Sequence, residues 1–256
     1  RWIGIVYGPS LLAASAVLHV PASSRAVRMR RAPAVRLLVR DPFFLSLVLG
    51  MFCGTFAGML VIGNLKPMAL AAGIASGPAA ATVAAFAVGN ASGRITWGWI
   101  SDRTDDRMIP AKLASLGLPL VLLAWAGSAV PFFLLSFAVG FGFGACFVVY
   151  AAQVASRYGL ARVGGIYPVV FLAYGAAGLL GPPLGGWMYD STSSYGPAIA
   201  LSSGVVAFGL IGSILLLRKA RTSRLVPGIP RAPRVASAAF CKPENRSDMR
   251  WSRRPS

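Results

Sequence analysis

Apolar residues in this chain gather into long runs separated by short polar stretches. A bilayer core takes about 20 apolar residues per helix, so the runs are read by length and by freedom from charge. They extend from Trp2 to Ala22, Pro42 to Leu65, Pro78 to Ile100 (broken only by Arg94), about Leu113 to Ala126, Pro131 to Ala155, Val163 to Met188 and Pro197 to Leu217. The pattern predicts an all-α polytopic membrane protein in which a leading helix precedes a six-helix bundle. Its segments are a leading span over 1–22, a basic connection over 23–40, the bundle over 41–218 and a tail over 219–256, whose Arg, Pro and Ser content predicts disorder. The chain opens on Arg1, already inside an apolar run and without an initiator Met, which is expected of a fragment.

Composition agrees. Of 256 residues, 56% are apolar and 12% charged, with a net charge of +18, whereas soluble domains carry roughly 25% charged residues. A basic surplus alone would suggest a nucleic-acid partner, but a nucleic-acid-binding domain is not this apolar, and the positions of the charges explain the surplus differently. Alternate connections hold Arg25, Arg28, Arg30, Arg31, Arg36 and Arg40; Arg103, Arg107 and Lys112; Arg157 and Arg162; and Arg218, Lys219, Arg221 and Arg224. The other set holds only Lys66. Positive residues collect on the cytoplasmic side of membrane proteins, so the ends of the first and last spans are expected there. The lipid bilayer, not nucleic acid, is the expected surrounding.

Small residues mark packing faces: Gly50, Gly54 and Gly58 lie four apart, as do Gly89 and Gly93. Gly140, Gly142 and Gly144 are expected to loosen the fifth run, and Gly181-Pro182-Pro183 to interrupt or kink the sixth. Three cysteines without CxxC spacing and one histidine make no metal site, and no cofactor is implied. A membrane enzyme would need clustered Asp, Glu, His or Cys at one surface; only Asp102, Asp105 and Asp106 come close, without a His.

Arg94 is the informative residue. An arginine inside a span is costly unless it pairs or faces water, and no span contains Asp or Glu. Asn90, one turn earlier, shares its face. Two readings stay open: a guanidinium fork that takes a carboxylate, or an arginine snorkelling to the interface. Tyr150 and Gln153 at the end of the fifth run, and Tyr167 and Tyr174 on one face of the sixth, are further pocket candidates or interfacial anchors. Asn64 and Lys66 sit at the expected external mouth.

Gly98-Trp99-Ile100-Ser101-Asp102-Arg103-Thr104-Asp105-Asp106-Arg107 resembles the cytoplasmic loop signature of the major facilitator superfamily, Gly-x-x-x-Asp-Arg-x-Gly-Arg-Arg. Gly98, Asp102, Arg103 and Arg107 match; Asp105 and Asp106 replace the usual Gly and basic residue. Asp41-Pro42-Phe43-Phe44, the stretch from Ala57 to Pro67, Asn90 to Gly98 and Phe171 to Pro182 are similar to the oxalate/formate antiporter family within it. The resemblance runs from about Trp2 to Arg221 and corresponds to helices six through twelve of a twelve-helix carrier. It implies a secondary transporter of small organic anions, with a missing N-terminal six-helix half as its structural partner and Arg94 as the residue that binds substrate carboxylate. It also implies a second basic residue near Tyr174 in oxalate carriers, and none lies between Val163 and Met188 here, which points to a monoanion. A carboxylate exchanger is expected; a proton-coupled monocarboxylate symporter and a non-transporting truncated fragment are the alternatives.

Overall fold

The computed structural model describes residues 35–101 and 108–222, together with Pro9. The leading run, most of the basic connection and the tail beyond Thr222 lie outside the described residues. Among those described, no strand occurs. The helices are α1 (Val35–Leu38), α2 (Pro42–Ala71), α3 (Ser76–Ser101), α4 (Met108–Leu123), α5 (Ala129–Tyr158), α6 (Leu160–Thr192) and α7 (Gly196–Thr222). By length and composition α2, α5, α6 and α7 are each able to cross a membrane. The fold is therefore all-α, as the apolar runs predict.

Helix α2 starts where its sequence says it should. Asp41 Oδ1 accepts the Phe43 N–H at 2.9 Å, and Pro42 follows as the first helical residue, which has no N–H to satisfy. Asp41 Oδ2 accepts the Tyr158 hydroxyl at 2.9 Å, so the same carboxylate ties the start of α2 to the end of α5. Helix α2 then runs through the middle of the bundle, with Leu47, Met51, Leu60 and Val61 fully buried. On its flanks, α6 and α7 turn apolar faces outward, including Leu172, Leu179, Phe208 and Ile211. Such faces need lipid or another protein surface against them.

Helix α3 lies against α5 along a glycine seam. A Cβ at Gly89 or Gly93 would collide with the carbonyl oxygens of Phe137 and Phe141, and one at Gly140 or Gly144 with those of Phe86 and Asn90. The two backbones touch because neither carries a side chain there, which is how helices associate where lipid supplies no hydrophobic drive. Gly140 and Gly144 are thus contact surfaces, not the loosening elements expected of them.

Two further expectations change. The Gly181-Pro182-Pro183 segment does not interrupt its helix: α6 is continuous from Leu160 to Thr192. Helix α2 supports it there, because Asn64 Nδ2 donates to the Pro182 carbonyl at 3.1 Å. A Cβ at Gly181 would lie only 2.9 Å from the Phe56 carbonyl oxygen, so the two helices are in backbone contact. Helix α4 begins at Met108, not at Leu113, and Lys112 belongs to it. Read as a loop residue from its charge, Lys112 is fully buried in the bundle.

Candidate functional site

The glycine seam fixes the position of Arg94. A Cβ at Gly144 would come within 3.1 Å of the Arg94 backbone nitrogen, so α5 presses directly on the turn carrying this residue. The side chain leaves α3 beside α5, and its guanidinium carbon sits 4.2 Å from the centre of the Phe147 ring. Arg94 Nε donates to Asn90 Oδ1 at 3.4 Å. Asn90, half-buried and one turn away, thus orients the guanidinium as the sequence spacing suggested. Arg94 itself is exposed, and no Asp or Glu occurs anywhere in α3, α5 or α6 before Asp190. Among the described residues the cation is steadied by a ring face and an amide, not neutralised by an acid.

Phe147 opens a chain of rings onto α6. It meets Tyr174 edge to face at 5.4 Å, and Tyr174 stacks on Phe171 at 4.8 Å with an interplanar angle of 19°. Phe171 in turn contacts Tyr167 at 5.7 Å. The Tyr167 hydroxyl donates to the Phe147 carbonyl at 3.5 Å, closing the group back onto α5. Tyr167, Phe171 and Tyr174 share a face of α6 because they stand four and three residues apart. Asn90, Arg94, Tyr167 and Tyr174, picked from the sequence, therefore come together. Phe147 and Phe171, which join them, went unnoticed because a phenylalanine in an apolar run looks like every other lipid-facing or core residue.

Tyr150 stands apart from this group. It is fully buried, and its hydroxyl accepts from Lys112 Nζ at 3.2 Å. Lys112 Nζ also donates to Cys146 Sγ at 2.8 Å and lies 4.7 Å from the centre of the Tyr150 ring. Gly54 leaves the space for this ammonium, since a Cβ there would overlap Nζ, and one at Gly50 would lie 2.6 Å from the Tyr150 hydroxyl. Gln153, one turn along α5, is buried as well. The cue to Lys112 was the shortness of the fourth apolar run, since a helix built on it draws residues from the basic side.

Asn64 is buried and engaged with the carbonyls of Leu60 and Pro182, while Lys66 is exposed beside it. Gly98 is half-buried, with Val148 Cγ1 3.3 Å from where its Cβ would be. Asp102, Arg103 and Arg107 lie outside the described residues. A groove of about 450 Å3 between α4 and α5 is lined by Ser115, Leu118, Leu135, Phe141 and similar side chains, and has no charge with which to hold an anion. Among the described residues no group of three His, Cys, Asp or Glu could bind a metal ion.

Comparison with known proteins bears on the family of the chain. Residues 47–246 match the family model described as Major Facilitator Superfamily. Monocarboxylate transporter 11 of Homo sapiens is 32% identical over 182 residues, covering 66% of this chain and 35% of the relative. Monocarboxylate transporter 12 of Xenopus laevis is 28% identical over 179 residues, with 68% and 38% covered. An uncharacterized MFS-type transporter of Escherichia coli (strain K12), YhjX, is 26% identical over 178 residues, with 67% and 43% covered. The chain thus spans well under half the length of these relatives. They carry the likeness to the superfamily, without extending it to the oxalate/formate antiporters.

Proposed function

The chain belongs to the major facilitator superfamily and is a multi-pass membrane protein, and from that premise we propose that it forms the C-terminal bundle of a carrier for small organic anions, with Arg94 as the substrate cation. The observation that carries this reading is the exposed guanidinium of Arg94, fastened to Asn90 and Phe147 with no acidic partner in its helix. A guanidinium in that state offers a planar fork to a carboxylate. The names of the relatives favour a monocarboxylate, and the lack of Lys or Arg in α6 beyond Arg162 leaves a second carboxylate without a fixed cation.

The expected partner is an N-terminal six-helix half, and substrate binds between the two bundles. Rocking of the bundles alternates access from one side to the other. The basic connections favour a cytoplasmic position for the ends of α3, α5 and α7 and for the C-terminus. The spans of this chain carry no Asp or Glu as proton donor, which favours exchange of one anion for another; proton coupling would need a titratable group in the N-terminal half.

The test is uptake of labelled monocarboxylate into liposomes containing the complete carrier. Arg94→Ala is expected to lower uptake at least tenfold and Arg94→Lys to recover only part of it, because a lysine lacks the fork. Survival of uptake with unchanged substrate affinity in Arg94→Ala removes the proposal. Exchange is checked in the same vesicles: uptake should require anion inside and persist when the pH gradient is collapsed.

A further inference from the structure

We propose that the site selects carboxylates that bear an aryl ring, the carboxylate meeting Arg94 and the ring lying against the Phe171–Tyr174 stack. The inference rests on the reading of Arg94 as an anion site and adds the other half of the ligand.

What surrounds the guanidinium decides this. A compact, hydrophilic anion would need several hydrogen-bonding groups around it. Here the Tyr167 hydroxyl is already given to the Phe147 carbonyl, and Asn90 Oδ1, an acceptor that cannot serve an anion, faces Arg94 Nε. The surface leading away from Arg94 is built of rings: Phe147 under the cation, Tyr174 edge-on to it, then Phe171 stacked on Tyr174 at 4.8 Å. Phe171 is 36% exposed, so the stack shows part of its ring surface outward although Phe171 also touches Tyr167. Rings recognise rings by offset stacking or edge-to-face contact, a preference over and above apolar area. A saturated ring of equal size gains the area and not the geometry. The same face offers no cation to a second carboxylate, so a dicarboxylate is disfavoured on both counts.

The experiment is inhibition of exchange by the complete carrier in liposomes, with benzoate, cyclohexanecarboxylate and phthalate as unlabelled competitors. Benzoate should inhibit at roughly two- to tenfold lower concentration than cyclohexanecarboxylate, the range an aromatic pair is worth, and phthalate should be weakest. In Phe171→Leu the benzoate-to-cyclohexanecarboxylate ratio should fall towards one. Because the readout is a ratio of inhibition constants within one preparation, altered expression or partial misfolding cancels. Tyr174→Phe, which keeps the ring, should preserve the ratio. Equal inhibition by benzoate and cyclohexanecarboxylate in the wild type, or an unchanged ratio in Phe171→Leu, overturns the aryl preference while leaving Arg94 as an anion site. If no carboxylate inhibits and Arg94→Ala transports normally, the anion reading falls and this inference falls with it.

Discussion

At the scale of single residues, Lys112 is the side chain whose energetics are least like its surroundings. Its ammonium is fully buried and faces the Tyr150 hydroxyl and Cys146 thiol, with Cys53 on α2 also nearby and no titratable side chain on α7 between Gly196 and Leu217. Breaking one contact of a buried charge is expensive, whereas replacing the charge by an apolar chain of similar size is often neutral or stabilising. Tyr150→Phe should therefore destabilise the protein by about 1–3 kcal/mol. Lys112→Met should cost little or raise stability, and Tyr150→Phe should become nearly silent in its background. Thermal unfolding in detergent, followed as a double-mutant cycle, measures this; a larger loss in Lys112→Met than in Tyr150→Phe contradicts it. Arg94 and Lys112 also show what single residues reveal in a sequence. Arg94 stood out because apolar residues flank it on both sides, while Lys112 sat at the edge of a run and was indistinguishable from a loop charge until its partners on α5 were in place.

At the scale of elements, the α3–α5 seam is the strongest determinant of site geometry. Gly89 and Gly93 were legible as a small-residue face, but Gly140 and Gly144 read as loosening elements, and a sequence does not say which face meets which, so the pairing that places Phe147 under Arg94 was hidden. Gly144→Val should force the two backbones apart at Asn90 and Arg94, at a cost of about 1–3 kcal/mol from overpacking. It should also weaken anion binding, because the turn holding the guanidinium moves. Gly204 in α7 has nothing within 4 Å of its missing Cβ, so Gly204→Ala should be neutral or stabilise by up to about 1 kcal/mol through helix propensity. Melting temperatures of the two variants, with substrate affinity for Gly144→Val, decide the matter; equal behaviour of the pair refutes the seam. Helix boundaries followed a similar rule. Four of the six predicted bundle helices extend beyond their apolar runs at both ends, and α2 only past Leu65, because polar residues such as Lys66 and Arg157 border a helix without entering the lipid-facing count.

At the scale of the whole molecule, the alternation of basic and neutral connections predicts one orientation. Cysteines placed at Ser194, between α6 and α7, and at Thr222, at the end of α7, should react with a membrane-impermeant maleimide from opposite sides: Ser194→Cys from outside, Thr222→Cys only after the cytoplasmic face is opened. Cys53 and Cys146 are buried and should stay silent, and Cys241→Ser removes the remaining thiol. Labelling of Thr222→Cys in intact cells reverses the proposed topology. The fold class was readable because bilayer thickness imposes a length on each run; the site was readable only in part, because its rings differ in no way from core rings until three helices are assembled. The seam finally bears on movement. Helices whose backbones rest on one another cannot slide or bend separately without collision, so α3 and α5 must travel as one body. In a rocking carrier, the flexing then falls to proline-bearing helices such as α2, α4 and α6. In such a carrier the cation and the ring beneath it would be delivered together to whichever side of the membrane stands open.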